Sequence, residues 1–361
     1  MKEQRQRILK LVEEGKLSAT EALTLIEALE SDQQVQKEKI SALSTEVIGG
    51  EYENKEKQFH DKQSSLGAKL MDWVDTAVKK VKDIDLDLNF GKSIDVHHIY
   101  QLQHVEFHDI DINIPNGSIN IQPWNESDVR IECDAKLYRV ENNEQAREQF
   151  LREVECVVEG NRLIFHTEKK TMKINVRIFI PEQTYEQIKI KLFNGPVRGE
   201  DLKVDNLKAK TANGVVSFSG VNGKKGEFET ANGQIKLSQS NFDNVEAESI
   251  TGLIQFTGST NKLDAQSFNG NLQLTLTDPA CESIYAKTTT GTIDIYTPEQ
   301  CKVIGELRSN LGTLAAHVKD AEIIHEKNDT IQKELKFRTA EETTLSVFAD
   351  SKVGSISIKN T

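Results

Sequence analysis

Cysteine is scarce in this sequence of 361 residues, and the four that occur do not form a recognisable site. Cys133, Cys156, Cys281 and Cys301 include no C-x-x-C pair, and no histidine lies at the spacing of a zinc ligand. Zinc sites and redox-active pairs are usually marked by such spacings. The sequence therefore predicts reduced thiols in or near the cores of strands, not metal-binding or catalytic cysteines.

Long hydrophobic runs and an excess of positive charge are also absent. No stretch of 18 apolar residues occurs, and residues 1–5 lead into no apolar segment of the kind found in secretion signals. The formal net charge of −12 disfavours a general attraction to nucleic acid. We therefore expect a cytoplasmic protein without a nucleic-acid partner, for which association with a membrane or the cell surface stays open.

The common catalytic motifs are missing as well. No G-x-S-x-G, Walker A, H-E-x-x-H or G-x-G-x-x-G pattern occurs in a suitable context. Histidines cluster at His97, His98, His104 and His108, but in strand-like sequence a spacing of four residues places side chains far apart. We expect no enzyme, no cofactor and no metal site.

Residues 1–30 have the pattern of a short helical hairpin. Gly15 is a candidate C-cap of the first helix, and Ser18 with Glu21 forms a capping box for the second. Thirty residues bury little surface by themselves. We therefore predict that the hairpin assembles with itself or with a protein partner through its apolar face, which consists of Ala22, Leu25, Ile26 and Leu29. The alternative, a DNA-binding helix-turn-helix, is disfavoured because five basic residues are outnumbered by six acidic ones.

A polar linker is predicted over residues 31–65, and an amphipathic helix over residues 66–82. Two interpretations of this helix stay open. It caps the following β domain, or it lies on an anionic membrane surface or another envelope component. Its apolar positions are Leu66, Leu70, Trp73, Val74, Ala77, Val78 and Val81.

From Ile84 onward the apolar period changes from three or four residues to two, which is typical of half-buried strands. One helical interruption is predicted near residues 143–154. After residue 200 the sequence repeats itself, with glycines at the same phase in seven copies and in a degenerate copy before them. These glycines are Gly195, Gly214, Gly233, Gly252, Gly270, Gly291, Gly312 and Gly354.

The near-constant spacing of 18–21 residues predicts a stack of coils, each with two short strands. In the first copy, positions 207, 209, 211, 216 and 218 point inward, and the glycine supplies a positive φ at the corner. The last spacing, 42 residues, is interpreted as two periods in which the coil at 322–346 has lost its pattern. The predicted fold over residues 84–361 is a mainly β, β-helix-like β-solenoid of 19–21-residue coils. An antiparallel meander is the rival geometry, because Asn-Gly is also a hairpin signal.

One candidate site emerges from the outward positions of the repeat. Glu227, Glu229, Glu246, Glu248 and Asp264 fall in the same two phases of consecutive coils. They form a solvated face, a site for cations or a basic partner, or the carboxylates of a polysaccharide lyase or hydrolase. We favour the solvated face and keep these five residues as the candidate interaction face of a non-enzymatic binding or scaffold protein.

Two further stretches carry a resemblance to a known family. Residues 117–124 (GSINIQPW) with 129–131, and residues 178–181 (IFIP) followed by 193–195, are similar to landmarks of the putative-adhesin β-strand-repeat family. The N-terminal hairpin resembles the short helical domain that precedes it in Gram-positive YvlB- and LiaX-type proteins. This resemblance implies a β-repeat fold and a role in cell-envelope stress, and it supplies no catalytic motif.

Overall fold

A computed structural model describes residues 92–329 and 332–361. The predictions for residues 1–30, 31–65 and 66–82 lie outside the described residues. The described chain is mainly β, as predicted, with one helix among its strands. Its elements are β1 (Ser93–Leu102), β2 (Asp109–Trp124), β3 (Val129–Tyr138), α1 (Asn143–Glu153), β4 (Glu155–Glu159), β5 (Arg162–His166), β6 (Met172–Pro181), β7 (Thr184–Asn194), β8 (Val197–Glu200), β9 (Lys203–Asn213), β10 (Val216–Ser219), β11 (Asn222–Asn232), β12 (Ile235–Thr251), β13 (Ile254–Asn269), β14 (Leu272–Leu276), β15 (Ser283–Thr290), β16 (Ile293–Thr297), β17 (Val303–Ser309), β18 (Leu314–His317), β19 (Glu322–Asn328), β20 (Lys333–Arg338), β21 (Leu345–Val353) and β22 (Ile356–Asn360).

The strands form two sheets, which are continuous because the long strands β2, β12 and β13 take part in both. The first sheet has the order β4-β5-β2-β7-β9-β11-β12-β13-β15-β21-β17-β20-β19. The second sheet has the order β1-β3-β6-β2-β8-β10-β12-β13-β14-β16-β22-β18. The pairings also close a ring of seven parallel strands, β2-β7-β9-β11-β12-β10-β8. A closed parallel barrel with additional strands therefore describes this region.

The strand register follows the sequence repeat. Val216 pairs with Ile235, and Ile235 pairs with Ile254, in parallel strands. The predicted inward positions of the first copy, Leu207, Ala209, Thr211, Val216 and Phe218, are all buried. The seven repeat copies pair with one another in parallel, so the rival antiparallel meander is wrong for them.

The last copy of the repeat is not stacked in sequence order. β21 lies between β15 and β17, and β22 lies between β16 and β18. β19 and β20 instead pair with each other as an antiparallel hairpin, and β20 also pairs with the free edge of β17. The interpretation of 322–346 as a degenerate coil is therefore wrong. The hairpin covers the edge of β17, and the chain then returns to insert β21 and β22 between earlier strands.

The repeat glycines form a column of close backbone contacts. A Cβ added at Gly214 would lie 2.0 Å from the carbonyl oxygen of Gly195, and one added at Gly233 would lie 1.8 Å from that of Gly214. Gly252 has a positive φ of 147°, but Gly214 and Gly233 have no such φ. The prediction that a positive φ explains every repeat glycine is therefore wrong, because the shared requirement is the close approach of backbone between neighbouring repeat copies.

The inward hydroxyls of the repeat donate to this glycine column. Thr211 Oγ1 donates to the carbonyl oxygen of Gly195 at 3.0 Å, and Thr230 Oγ1 donates to that of Gly214 at 3.1 Å. The amides of Asn194, Asn213 and Asn232 instead bond to one another from coil to coil, with Asn213 Nδ2 donating to Asn194 Oδ1 at 2.8 Å. The asparagines therefore form a side-chain ladder, whereas Thr211 and Thr230 donate to backbone carbonyls.

The predicted helical interruption is confirmed as α1. Asn142 caps it, because its side-chain oxygen accepts from the backbone N–H of Gln145 at 2.9 Å. Ala146 and Phe150 bury its apolar side. Within the described part of the chain, no helix has the length and hydrophobicity needed to span a membrane.

Candidate functional site: a charged face of the first sheet

The five predicted carboxylates come together on the outer surface of the first sheet. Glu227 pairs with Glu246, and Glu246 pairs with Asp264, on three neighbouring parallel strands. Glu229 pairs with Glu248 in the adjacent row. Neighbouring strands lie about 4.8 Å apart. These five outward-facing residues of β11, β12 and β13, the acidic block, therefore form a compact patch.

Lysines from the preceding coils form a second patch directly beside the acidic block. Lys189 pairs with Lys208 and Lys191 pairs with Lys210, on β7 and β9. Lys208 forms an ion pair with Glu227, and Lys210 forms one with Glu229. We call these four residues the lysine block. The sequence did not lead us to predict them, although they occupy the same phase of the repeat one and two copies earlier.

The ion pairs neutralise the edge of the acidic block that faces the lysine block, and we call the surroundings of Glu248, where carboxylates are neighbours, its acidic centre. Burial acts to raise the pKa of Glu227, but hydrogen bonds from Lys208 and Lys225 outweigh burial and hold the pKa at about 2. Lys225 Nζ also lies 3.8 Å from Glu246 Oε1. The edge that faces the lysine block is therefore neutralised, and the like charges there are not left unmatched.

Glu248 lies at the acidic centre. Burial is the main reason that the pKa of its carboxyl is raised to about 7, and repulsion from Glu229 is the next. Asp264 and Glu246 raise the pKa further, while Lys210 lowers it. Ionisation of Glu248 is thus unfavourable in the folded protein, first because the carboxyl is buried and then because its neighbours are negatively charged.

An aromatic and cationic column continues the same face on the other side of Asp264. Asp264 pairs with Tyr285, and Tyr285 pairs with Phe348. The rings of Tyr285 and Phe348 stack with centroids 5.3 Å apart, and the Arg308 guanidinium lies 5.4 Å from the Phe348 centroid. The acidic block therefore lies between the lysine block on one side and this aromatic and cationic column on the other.

The other residues considered from sequence do not form a site. Cys133, Cys281 and Cys301 are buried and Cys156 is half-buried, and all four are free thiols, which agrees with their predicted place in strand cores. Burial raises the pKa of Cys156 and Cys281 to about 12. Between residues 92 and 361, apart from 330 and 331, no group of three or more His, Cys, Asp or Glu side chains could hold a metal ion.

The histidines are separated by the fold. His97 Nδ1 lies 2.7 Å from Asp134 Oδ1 on β3, and His98 packs against Tyr100 and Phe150. His108 instead bonds to the side chain of Asn161 at 2.9 Å. The candidate positions at Ala22, Leu25, Ile26 and Leu29, and those from Leu66 to Val81, lie outside the described residues.

Comparisons with known proteins place the chain in a family. A model described as Toastrack DUF4097 matches residues 107–359, and one described as a SHOCT-like domain matches residues 3–34. The uncharacterized protein YvlB of Bacillus subtilis strain 168 is 51% identical over 361 residues, which cover 99% of each chain.

Two solved structures resemble this chain more distantly. A "putative adhesin" from Bacteroides fragilis is 18% identical, with 73% of this chain and 97% of that chain covered and a TM-score of 0.43. A "putative lipid binding protein" from Parabacteroides distasonis is 13% identical, with 73% and 96% covered and a TM-score of 0.42. None of these descriptions names an enzyme. Because the family model spans more than half of the sequence, the chain belongs to the Toastrack DUF4097 family of YvlB-type proteins.

Proposed function

We propose that the protein is a non-enzymatic binding or scaffold protein of the bacterial cell-envelope stress response, and that the acidic block is its contact surface for a basic partner. The observation that carries the proposal is the in-register placement of five carboxylates on β11, β12 and β13. A sheet whose strands are paired on both sides holds its outward side chains at fixed spacing, so binding costs little conformational entropy of the backbone that carries them. The stacked coils act as a β-solenoid-like support for this face.

A basic partner suits the charge distribution of the face. Three lysines, Lys208, Lys210 and Lys225, contact the acidic block, so the five carboxylates outnumber the cations that pair with them. A cationic partner would stabilise the ionised form of Glu248 by the same interaction that Lys210 supplies weakly. The envelope-stress role follows the resemblance to YvlB- and LiaX-type proteins, and it suits attachment to the membrane or cell surface.

The binding proposal is tested with a charge-matched pair of triple variants. The first replaces Glu246→Gln, Glu248→Gln and Asp264→Asn, and the second replaces three exposed carboxylates elsewhere, Glu159→Gln, Glu299→Gln and Glu342→Gln. Both change the formal net charge from −12 to −9. We expect an immobilised oligo-lysine peptide to bind the first variant at least about tenfold more weakly than the parent. The second variant should stay close to the parent, and an equal loss in both would contradict a specific acidic site.

The N-terminal helices are proposed to assemble the protein, which would present several acidic faces together. Leu25→Glu with Leu29→Glu places charge at the centre of the predicted contact, so it should turn an oligomer into a monomer. A protein truncated to residues 84–361 should behave in the same way and stay folded. Light scattering measures the oligomeric state of the three proteins, and a monomeric full-length parent at tens of micromolar would refute the assembly role.

The cellular role is tested by fractionation with and without membrane-active stress, combined with protease shaving of intact cells. We expect part of the protein in the membrane or surface fraction, and an increase under stress. A protein that stays wholly in the cytosol under stress would refute the envelope role.

A further inference from the structure

Two distant sequence motifs converge on the outer surface of the second sheet. Residues 117–124 belong to β2 and residues 178–181 to β6, and these strands pair in parallel with Gln122 beside Phe179. The rings of Trp124 and Phe179 are both half-buried, and their centroids lie 5.5 Å apart. Because the alternating isoleucines of both strands fill the core, the two aromatic rings are left at the surface.

Arginines surround these rings. Arg130 of β3 pairs with Phe179, and Arg177 precedes Phe179 by two residues on the same face of β6. Glu132 holds both guanidinium groups, with its carboxylate oxygens 2.7 Å from Arg130 Nη2 and 2.9 Å from Arg177 Nη2. Their orientation is therefore fixed by a shared carboxylate.

A third arginine and two amides complete the surface. Arg198 of β8 pairs with Asn120, is exposed, and takes part in no ion pair of the described chain. On the same face of β2, Asn120 lies between Arg177 and Arg198, and Gln122 lies beside Phe179. Exposed Glu200 lies two residues beyond Arg198, so the surface is mixed in charge and does not select an anion by charge alone. We call Trp124, Phe179, Arg130, Arg177, Arg198, Asn120 and Gln122 the aromatic–arginine patch.

We propose that the aromatic–arginine patch binds an uncharged glycan chain. Aromatic rings pack against the C–H faces of pyranoses, and planar amide and guanidinium groups bond to neighbouring hydroxyls in pairs. The patch spans four strands, or roughly 14 Å, which suits an extended chain and not a single small molecule. Glu132 is held in ion pairs with two arginines, which suits a surface that binds a glycan and does not cleave it. This site lies on a different sheet from the acidic block and does not depend on the function proposed for that block.

Intrinsic fluorescence gives a direct test, because the sequence has only two tryptophans, Trp73 and Trp124. In the full-length Trp73→Phe protein, Trp124 is the single reporter. Titration with chitohexaose and cellohexaose should give a saturable change of its emission for at least one of them, with Kd on the order of 0.1–1 mM. The response should be independent of ionic strength, because no net charge is exchanged.

Variants then locate the site. Phe179→Ala and Arg198→Ala should each weaken binding by about tenfold or more, whereas Phe179→Tyr retains an aromatic face and should bind as the parent does. Lys262→Ala, an exposed cation on the first sheet, is the matched control for Arg198→Ala and should change nothing. Unchanged melting temperatures show that a loss is not caused by unfolding.

Several results would overturn the proposal. One is the absence of a saturable response to both oligosaccharides at about 10 mM, which lies well above the expected Kd. Another is a response that survives both alanine variants. A third is binding of polygalacturonate alone that is abolished by salt, which would identify the patch as a simple anion site.

Discussion

Alanine at Gly233 should destabilise the protein strongly, although no unusual backbone angle is involved. The added Cβ would lie 1.8 Å from the carbonyl oxygen of Gly214 and 2.6 Å from its carbonyl carbon. Real Cβ atoms essentially never lie closer than 3.0 Å to such atoms, so the repeat copies that contain Gly214 and Gly233 must move apart by more than 1 Å. Both neighbours are backbone, and no side chain can rotate away to relieve the contact.

Moving the two copies apart would stretch and weaken the backbone hydrogen bonds beside this contact. The backbone N–H of Gly214 donates to Asn232 at 2.9 Å, and that of Val216 donates to Gln234 at 2.9 Å. A buried backbone group that loses its partner costs about 1–3 kcal/mol, so weakening two such bonds gives an expected loss of about 3–5 kcal/mol. Urea unfolding followed by far-UV circular dichroism measures this loss as a shift of the midpoint at unchanged slope.

Gly160→Ala is the control that distinguishes a steric contact from an unfavourable backbone conformation as the cause of the lost stability. Gly160 has a φ of 58° in the turn between β4 and β5, and a Cβ there would meet nothing within 4 Å. Alanine at this position should cost only about 1–2 kcal/mol, the usual cost of a left-handed conformation. If Gly233→Ala were no more destabilising than Gly160→Ala, the explanation of the repeat glycines by close approach of coils would be refuted.

Three further predictions address the core, the acidic centre and the predicted helix. Ile254 is fully buried, so Ile254→Asp should place an unpaired charge between the sheets and unfold the domain, whereas a melting temperature within a degree or two of the parent would contradict its inward place. The pKa of Glu248 is raised from 4.5 to about 7 on folding, so the folded protein binds a proton that the unfolded chain releases, and the free energy of unfolding falls as pH rises from about 4.5 to 7. Glu248→Gln should remove this decline, and the variant should be more stable than the parent at pH 8 by on the order of 2 kcal/mol. Identical pH profiles of the two proteins in urea unfolding would show that folding does not raise the pKa of Glu248. A peptide of residues 66–82 should gain helicity on anionic vesicles with a blue shift of Trp73 emission, and no response at low salt would leave the interpretation that this helix caps the β domain.

Local periodicity in the sequence determined much of the fold. Alternation of apolar residues identified the strands and the inward positions, because side chains of a strand point alternately to its two faces. The apolar pattern of residues 143–154 predicted α1, and the phase of the repeat predicted that Glu227, Glu246 and Asp264 lie in one row. The family landmarks and the glycines were also recognisable, since each is a short local pattern.

Only the tertiary structure decided which copy stacks on which. All seven copies share the same inward and outward phase, so each could stack beside any other, and the sequence period cannot distinguish the alternatives. The hairpin of β19 and β20 pairs with β17 and leaves β21 to insert between β15 and β17. The same dependence on long-range pairing explains why the lysine partners of Glu227 and Glu229, and the meeting of Trp124 with Phe179, were not predicted. Alternation along a strand fixes the face of a residue, but its neighbours on that face are determined by how distant strands pair.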